Sequence, residues 1–524
     1  MTATDRGTSR YAVDPALRAR LTRRVVAIPG GPTRPTITPM TGEVIAEVPQ
    51  STAQDVAVAV AAARSAQRPW ARTSLAHRKR IMLRLHDLVF AHQDQLLDLV
   101  QLESGKARAH GFEEIADVAL VARHYARRAA AYLAPRRSAG ILPVLTNAVT
   151  RYHPVGVVGV VTPWNYPLTL PISDSIPALL AGNAVVLRPD PQTALTALYG
   201  ASLLTEAGLP ESVLQVVVGD GPTVGQAVVE QADYICYTGS TDTGRRVGQT
   251  AAARLVGASL ELGGKNSLYV RADADLGRAA EGAIRSCFGS AGQLCVHTER
   301  LLLHADIADA FLGWFLPAVD GMRLGPDLAY GIDMGSLLGP RQLERTQAHL
   351  RDAVDKGARV LAGGGHCPDV GPYFHEPTVI DAVTREMACR DEETFGPLVA
   401  VYRVGSDEEA LTLANDTAYG LNASIWTRDI AAGRRLAARV RAGTVNINEG
   451  YAAAWSATGA PMGGMGDSGV GRRHGAEGIR KYTESQNVTS QRLLGFGPPR
   501  GLTDAQWSTV IARVVQAAKA VGLR

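Results

Sequence analysis

The feature that most restricts the fold of this chain is an alternation. Four short runs rich in Val and Ile, VGVVGVV (155–161), NAVVLRP (183–189), LQVVVGD (214–220) and YICYTGS (234–240), are separated by Ala-rich stretches of helical character. Strands that alternate with helices build a parallel sheet, because joining parallel neighbours needs a crossover that a helix fills. The runs lack polar alternation, so both faces of the sheet are covered, as in a doubly wound, Rossmann-like unit that binds nucleotides at the carboxyl edge of its strands. From about Gly264 to Ala460 the alternation resumes in LYVRADADL, RLLLHAD, ARVLAGGG and VNINEG, which predicts a second α/β domain. A length of 524 residues agrees with more than one core.

The flanks have a different texture. TITPMTGEVIAEVPQ reads as strand, turn and strand around Thr41 and Gly42, and Ala53 to about Pro135 reads as consecutive helices with Ile81, Leu85, Leu88 and Val89 at helical spacing. Near the end, a linker-like GFGPPRG precedes TDAQWSTVIARVVQAAKAVG. Thr503 and Gln506 make a capping box there, and Trp507, Val510, Ile511, Val514, Ala518 and Val521 share one face. That helix is expected to dock on its own subunit or a neighbour, with peripheral membrane contact through Arg513 and Lys519 as the alternative.

Charge and cysteine usage exclude several classes. The 54 basic and 50 acidic residues leave a net charge of only +4, which argues against dedicated nucleic-acid binding. Cys236, Cys287, Cys295, Cys367 and Cys389 are far apart, odd in number and without a CxxC pair. Neither a disulfide framework nor a zinc ribbon is expected, no metal is expected, and a reducing, cytoplasmic setting fits. The start, MTATDRGTSRYAVDP, holds no apolar run of a signal peptide. The long uncharged stretch from Tyr152 to Ser173 carries Pro154, Pro163, Pro167 and Pro171, so no transmembrane segment is expected.

Several residues invite chemistry, each with an ordinary structural alternative. GDGPTVG (219–225) misses the GxGxxG spacing by one residue and is weak by itself. Thr238-Gly239-Ser240-Thr241 ends a strand and opens a helix, where free amides meet a phosphate or the helix is simply capped. Cys295, in SAGQLCVHTER, follows small and polar residues that allow a sharp turn and an accessible thiol, yet a buried structural cysteine has the same appearance. Glu261 ends an apolar strand before two glycines, a place where desolvation raises a carboxyl towards general-base service, or where it caps the next loop. Asn165 stands beside Trp164 between Pro163 and Pro167, an amide donor on a stiff loop or merely an unusual turn.

Taken in order, TPWNYP (162–167), AGNAVVLRPDPQT (181–193), YTGSTDTG (237–244), LELGGKN (260–266), GQLCVHTER (292–300), DEETFGPL (391–398) and PMGGMGDSGVGR (461–472) give a chain that resembles the aldehyde dehydrogenase superfamily from about residue 36 to 490. The resemblance implies an α/β fold of two doubly wound domains, one for cofactor and one catalytic, with a small β oligomerisation arm. The implied divisions are an N-terminal extension at 1–35, a cofactor-binding domain at 36–135 and 155–263, a catalytic domain at 264–461, an arm at 136–154 and 483–500, and a C-terminal helix at 501–524. It also implies NAD(P)-dependent oxidation of an aldehyde to a carboxylic acid. In that reading Cys295 is the nucleophile, Glu261 activates water, and the Asn165 side chain with the Cys295 amide receives the oxyanion. Trp164 and Asn165 line the nicotinamide side, Gly239 and Ser240 meet the pyrophosphate, Leu262 contacts the nicotinamide, and Glu393 with Phe395 holds its ribose. Arg188, Asp190 and Pro191 form the adenosine-ribose segment.

Departures from the family pattern refine the expectation. Family members that prefer NAD usually carry Lys at the position of Arg188 and Glu at that of Pro191; losing the carboxylate points to NADP, with NAD as the alternative. Asp174 stands where many members have Lys. Succinate-semialdehyde dehydrogenases hold the distal carboxylate with arginines whose positions here are Ser173 and Gly289, and His297 replaces their second cysteine. The chain nonetheless looks closest to a divergent, second type of NADP-dependent succinate-semialdehyde dehydrogenase, so succinate semialdehyde is the first expectation and a broad aliphatic or aromatic aldehyde the second. From another class, Cys295 with His297 would make a thiol esterase or hydrolase. A homodimer or homotetramer is the usual assembly of the family.

Overall fold

The computed structural model describes residues 11–139, 146–492, 497–520 and 522. The expected arm residues 140–145 and 493–496, and Val521 of the terminal helix, lie outside the described residues.

The first doubly wound unit is a six-stranded sheet in the order 469–470, 257–261, 234–238, 157–161, 184–188 and 214–216. Its neighbours run parallel except for Gly469–Val470, which pairs antiparallel with Leu260 and Glu261. Every residue of Val157–Val161, Ala184–Arg188 and Tyr234–Thr238 is buried, as strands covered on both faces must be. One cover is the helical layer Ala53–Arg72, Leu75–Ala91, Gln93–Ser104 and Arg108–Tyr132, whose apolar stripes share a single core with the sheet. The hairpin expected around Gly42 is the antiparallel pair Thr33–Ile37 and Val44–Pro49.

A second, seven-stranded sheet follows the order 359–362, 378–381, 398–404, 298–304, 266–270, 422–426 and 444–447, parallel apart from its first pair. A three-stranded antiparallel sheet, 483–491, 146–154 and 136–139, stands apart from both. Among the described residues no helix is long and apolar enough to cross a membrane.

Three details differ from the sequence reading. The expected N-terminal extension is partly packed onto the first domain: the helix Pro15–Thr22, capped by Asp14, buries Leu21, and Val25 bridges to Val216. The run LQVVVGD is a strand only at Leu214–Val216, and past it Val218 leaves the ladder to exchange hydrogen bonds with Ser51, its amide donating to Ser51 Oγ at 3.0 Å and its carbonyl accepting from the Ser51 amide at 2.6 Å. The C-terminal helix Asp504–Ala520 buries only Trp507, Ile511 and Ala518 are half-buried, and Val510, Val514 and Val515 remain exposed, so the described residues leave much of its apolar face uncovered.

Candidate active site

The carboxyl ends of the six-stranded sheet deliver the predicted residues to one place. The strand Val157–Val161 runs into the Trp164-Asn165 loop, Ala184–Arg188 into Asp190, Tyr234–Thr238 into Gly239 and Ser240, and Gly257–Glu261 into Leu262. A cleft of about 650 Å³ opens there, and from the seven-stranded domain Cys295, Glu393 and Phe395 close its other wall. Each residue expected to bind cofactor lines this cleft except Pro191, which is buried in the short turn behind it.

Cys295 follows a turn that the backbone can make only by entering the left-handed region at Ser290, Ala291 and Gly292. A Cβ at Gly292 would lie 2.1 Å from the Gly396 carbonyl oxygen, so the small residue is required by close approach. Asn266 fixes the loop, its Nδ2 donating to the carbonyls of Cys295 at 2.7 Å and His297 at 2.8 Å. Burial, and then the negative charges of Glu261 and Glu393, push the Cys295 thiol up to about 12. At neutral pH this cysteine is therefore a thiol that needs a base. His297 is not placed to be one: Nδ1 meets the Leu294 carbonyl and Nε2 lies 3.2 Å from Glu299, so the cysteine and histidine two residues apart do not form a pair.

Glu261 is buried, its Oε1 has no hydrogen-bond partner, and desolvation pushes its carboxyl up to about 7, with Arg473 the strongest opposing charge. It is thus poised to take and return a proton near neutrality. Asn165 is also buried, and one proton of its Nδ2 donates to Gln293 at 3.0 Å. The bond fixes the amide plane and leaves the second proton for the cleft.

The cleft suits a dinucleotide. The helix Thr241–Ala253 begins at Ser240 without a side-chain cap, so its first amides are free for a phosphate. Gly239 and Gly244 are required by packing, since a Cβ would meet the Tyr237 hydroxyl or the Leu262 side chain at 2.3 Å. Arg188 spends Nε and Nη2 on Gly219. Among the described residues none accepts a hydrogen bond from its remaining Nη1. The Asp190 carboxylate is turned to the Gln192 amide at 3.0 Å. Glu393 accepts from the Gly264 amide at 2.8 Å, and burial pushes it up to about 7. Trp164 stands edge-on to Phe395, with ring centres 5.6 Å apart. Among the described residues no group of His, Cys, Asp and Glu is assembled to hold a metal ion.

Supporting residues that the sequence reading did not single out hold these walls in place. Lys106 pairs with Glu114 at 2.6 Å, donates to the Asn165 carbonyl at 2.7 Å and covers the Tyr166 ring, while Glu114 accepts the Leu168 and Thr169 amides. Glu299 receives Lys265 and the amides of Thr394 and Phe395, which fixes the Glu393 loop. Burial would raise the Glu299 carboxyl, but Lys265 and His297 hold it well below the usual range. A signal existed: lysine is rare in this arginine-rich chain, with 6 Lys among 54 basic residues, and two of the six do this work.

Comparison with known proteins agrees with the geometry. The sequence model described as the aldehyde dehydrogenase family matches residues 29–488. A Mycolicibacterium smegmatis protein, named provisionally as an NADP(+) succinate-semialdehyde dehydrogenase, is 51% identical over 484 residues, covering 92% of this chain and 94% of its own. The phenylacetaldehyde dehydrogenase of Pseudomonas fluorescens is 36% identical over 459 residues, 86% of this chain and 91% of that one. Among solved structures, PnpE in complex with nicotinamide adenine dinucleotide superimposes with a TM-score of 0.85 at 36% identity, over 90% of this chain and 97% of that chain. An Escherichia coli NADP-dependent enzyme gives 0.85 at 32% identity, over 90% and 99%. With that coverage and the assembled cleft, this chain belongs to the aldehyde dehydrogenase family.

Proposed function

We propose that the protein oxidises succinate semialdehyde to succinate with NADP, through a covalent intermediate at Cys295. The observation that carries the chemistry is the meeting of Cys295, Glu261 and Asn165 on one cleft that also opens onto a free helix N-terminus. Glu261 takes the thiol proton and the thiolate adds to the aldehyde carbon. The free amide proton of Asn165 and the Cys295 amide receive the resulting oxyanion. When bound, the nicotinamide supplies the hydride acceptor. Once hydride has left, the adduct is a thioester and Glu261 gives the thiol proton up to solvent; water then attacks the thioester carbon, the freed Glu261 carboxylate accepts its proton, the carbon–sulfur bond breaks, and that proton passes to the departing Cys295 sulfur as the carboxylic acid is released.

NADP is supported by the names of the mycobacterial relatives and by Arg188, whose anchored guanidinium faces the cleft where Pro191 offers no carboxylate. Succinate semialdehyde rests on the same relatives. The second reading, an aliphatic or aromatic aldehyde, is favoured by the passage beside Cys295, which is walled by Tyr166, Leu170, Leu294, Trp455 and Met462. Ser173, at an expected arginine position, donates to Asp117 at 2.6 Å, and the space at Gly289 faces the Tyr451 hydroxyl and His110. Initial rates with NADP and NAD against succinate semialdehyde, a medium-chain aldehyde and benzaldehyde separate the readings. A higher kcat/KM for succinate semialdehyde with NADP supports the first, and a wide margin for the apolar aldehydes overturns it.

In this reading the six-stranded unit with residues 36–135 and 155–263 is the cofactor domain, and 264–461 is the catalytic domain. The three-stranded sheet is an arm joining subunits into a homodimer or homotetramer, and the enzyme works in the cytoplasm.

A further inference from the structure

Glu261 shares its wall of the cleft with a second buried charge. Arg473 also lines the cleft, 7% exposed, and its Nε lies 3.0 Å from Oδ1 of Asp174, itself 4% exposed. The contact ties two distant segments together. Asp174 lies in the helix Thr169–Ala181, which continues the Asn165 loop, and Arg473 follows the short strand Gly469–Val470, whose Gly469 pairs with Glu261. Asp174 Oδ2 and Glu261 Oε1 are buried without a hydrogen-bond partner, and Arg473 Nε meets Asp174 as an ion pair out of line for a hydrogen bond. Unpartnered polar atoms gathered in one interior region mark places for ordered water.

The charges around Glu261 have opposite effects. Arg473, Lys481 and Arg472 favour its carboxylate, and Asp174 opposes it. Cys295 faces Glu261 across the cleft, and Cys236, Tyr234 and Tyr482 lie around Lys481 behind it. Asp117, bonded to Ser173, acts on Arg473 from the helix Arg108–Tyr132. A buried ion pair contributes little net stability compared with an apolar pair of the same volume, so its placement against the base calls for another explanation.

We propose that Arg473 and Asp174 are positioning residues for Glu261, the guanidinium holding the carboxylate for attack of water on the acyl-enzyme and Asp174 fixing the guanidinium. The inference rests on the reading of Glu261 as general base. Removing Arg473 leaves Glu261 facing the like charge of Asp174, and removing Asp174 leaves it facing an unopposed guanidinium, so the two losses move the base in opposite directions.

Hydrolysis of 4-nitrophenyl acetate by the full chain without cofactor reads the two half-reactions separately, the nitrophenolate burst for acylation and the steady rate for deacylation. Arg473→Met is expected to keep a burst, lower the steady rate about tenfold at pH 7 and move the midpoint of its pH profile up by about one pH unit. Asp174→Asn is expected to move the midpoint down. The double variant Asp174→Asn/Arg473→Met, which removes the whole pair and so preserves folding, is expected to return it to between the two. Midpoints that stay fixed, or that move in the same direction in both single variants, overturn the proposal; if Arg473→Met does not fold, the comparison of Asp174→Asn with the double variant decides. A burst in Cys295→Ala, or a full steady rate in Glu261→Gln, would instead sink the reading of the nucleophile or the base.

Discussion

At the scale of single residues, burial decides what each group can do. The Cys295 thiol, pushed up to about 12 by burial, stays protonated at pH 7, which makes the free enzyme a slow target for alkylation. The iodoacetamide rate at Cys295 should rise close to tenfold for each pH unit between 7 and 9, with Cys295→Ala as the blank; a rate already flat at pH 7 would mean a resting thiolate. Asn165→Ala removes the side-chain donor proposed for the oxyanion and should lower kcat by about 10²–10³ with a smaller change in KM, measured from initial rates. Glu261 differs from an exposed carboxylate only in its surroundings: desolvation places it near 7, so the base form grows as pH rises through neutrality and is lost below.

At the scale of elements, the active loops are held by buried ion pairs and not by their own sequence. Lys106 sits between the helices Gln93–Ser104 and Arg108–Tyr132 and reaches across to the Asn165 carbonyl. Lys106→Met strands the Glu114 carboxylate, itself fully buried, and frees the turn that carries Asn165. We expect a loss of about 3–5 kcal/mol of stability and a fall in kcat larger than any change in the cofactor KM, read from denaturant unfolding and from rates on the folded fraction. An unchanged kcat would show that the Asn165 loop holds its shape without the lysine.

At the scale of the whole molecule, the three-stranded sheet leaves its outer strand Thr483–Gln491 almost wholly exposed, with Val488 opposite Val149. A long strand edge facing water invites pairing with another chain. For the oligomer proposed above, Val488→Glu changes a side chain that is 46% exposed, so the subunit should fold unaltered while the mass in analytical ultracentrifugation falls towards that of a monomer. An unchanged mass would place the subunit contact elsewhere, the exposed face of Asp504–Ala520 being the next surface to test.

The sequence alone determined the alternation of strands and helices, because Val-rich runs buried on both faces have one stable architecture, and it carried the ordered motifs, in which a glycine such as Gly239 is imposed by close approach to Tyr237 two residues away. It pointed to Cys295, Glu261 and Asn165 through the resemblance carried by the ordered motifs, since the immediate neighbours of each left an ordinary structural alternative, and folding brings the three onto one cleft. It did not show the pairing of Lys106 with Glu114, of Lys265 with Glu299 or of Asp174 with Arg473, since the last pair is separated by nearly 300 residues and only folding brings its members within 3.0 Å. Nor did it show that much of the apolar stripe of the C-terminal helix stays uncovered beyond Trp507. Burial and long-range charge are properties of packed neighbours, so the protonation of Cys295 and Glu261, on which the proposed chemistry rests, was decided by the tertiary structure.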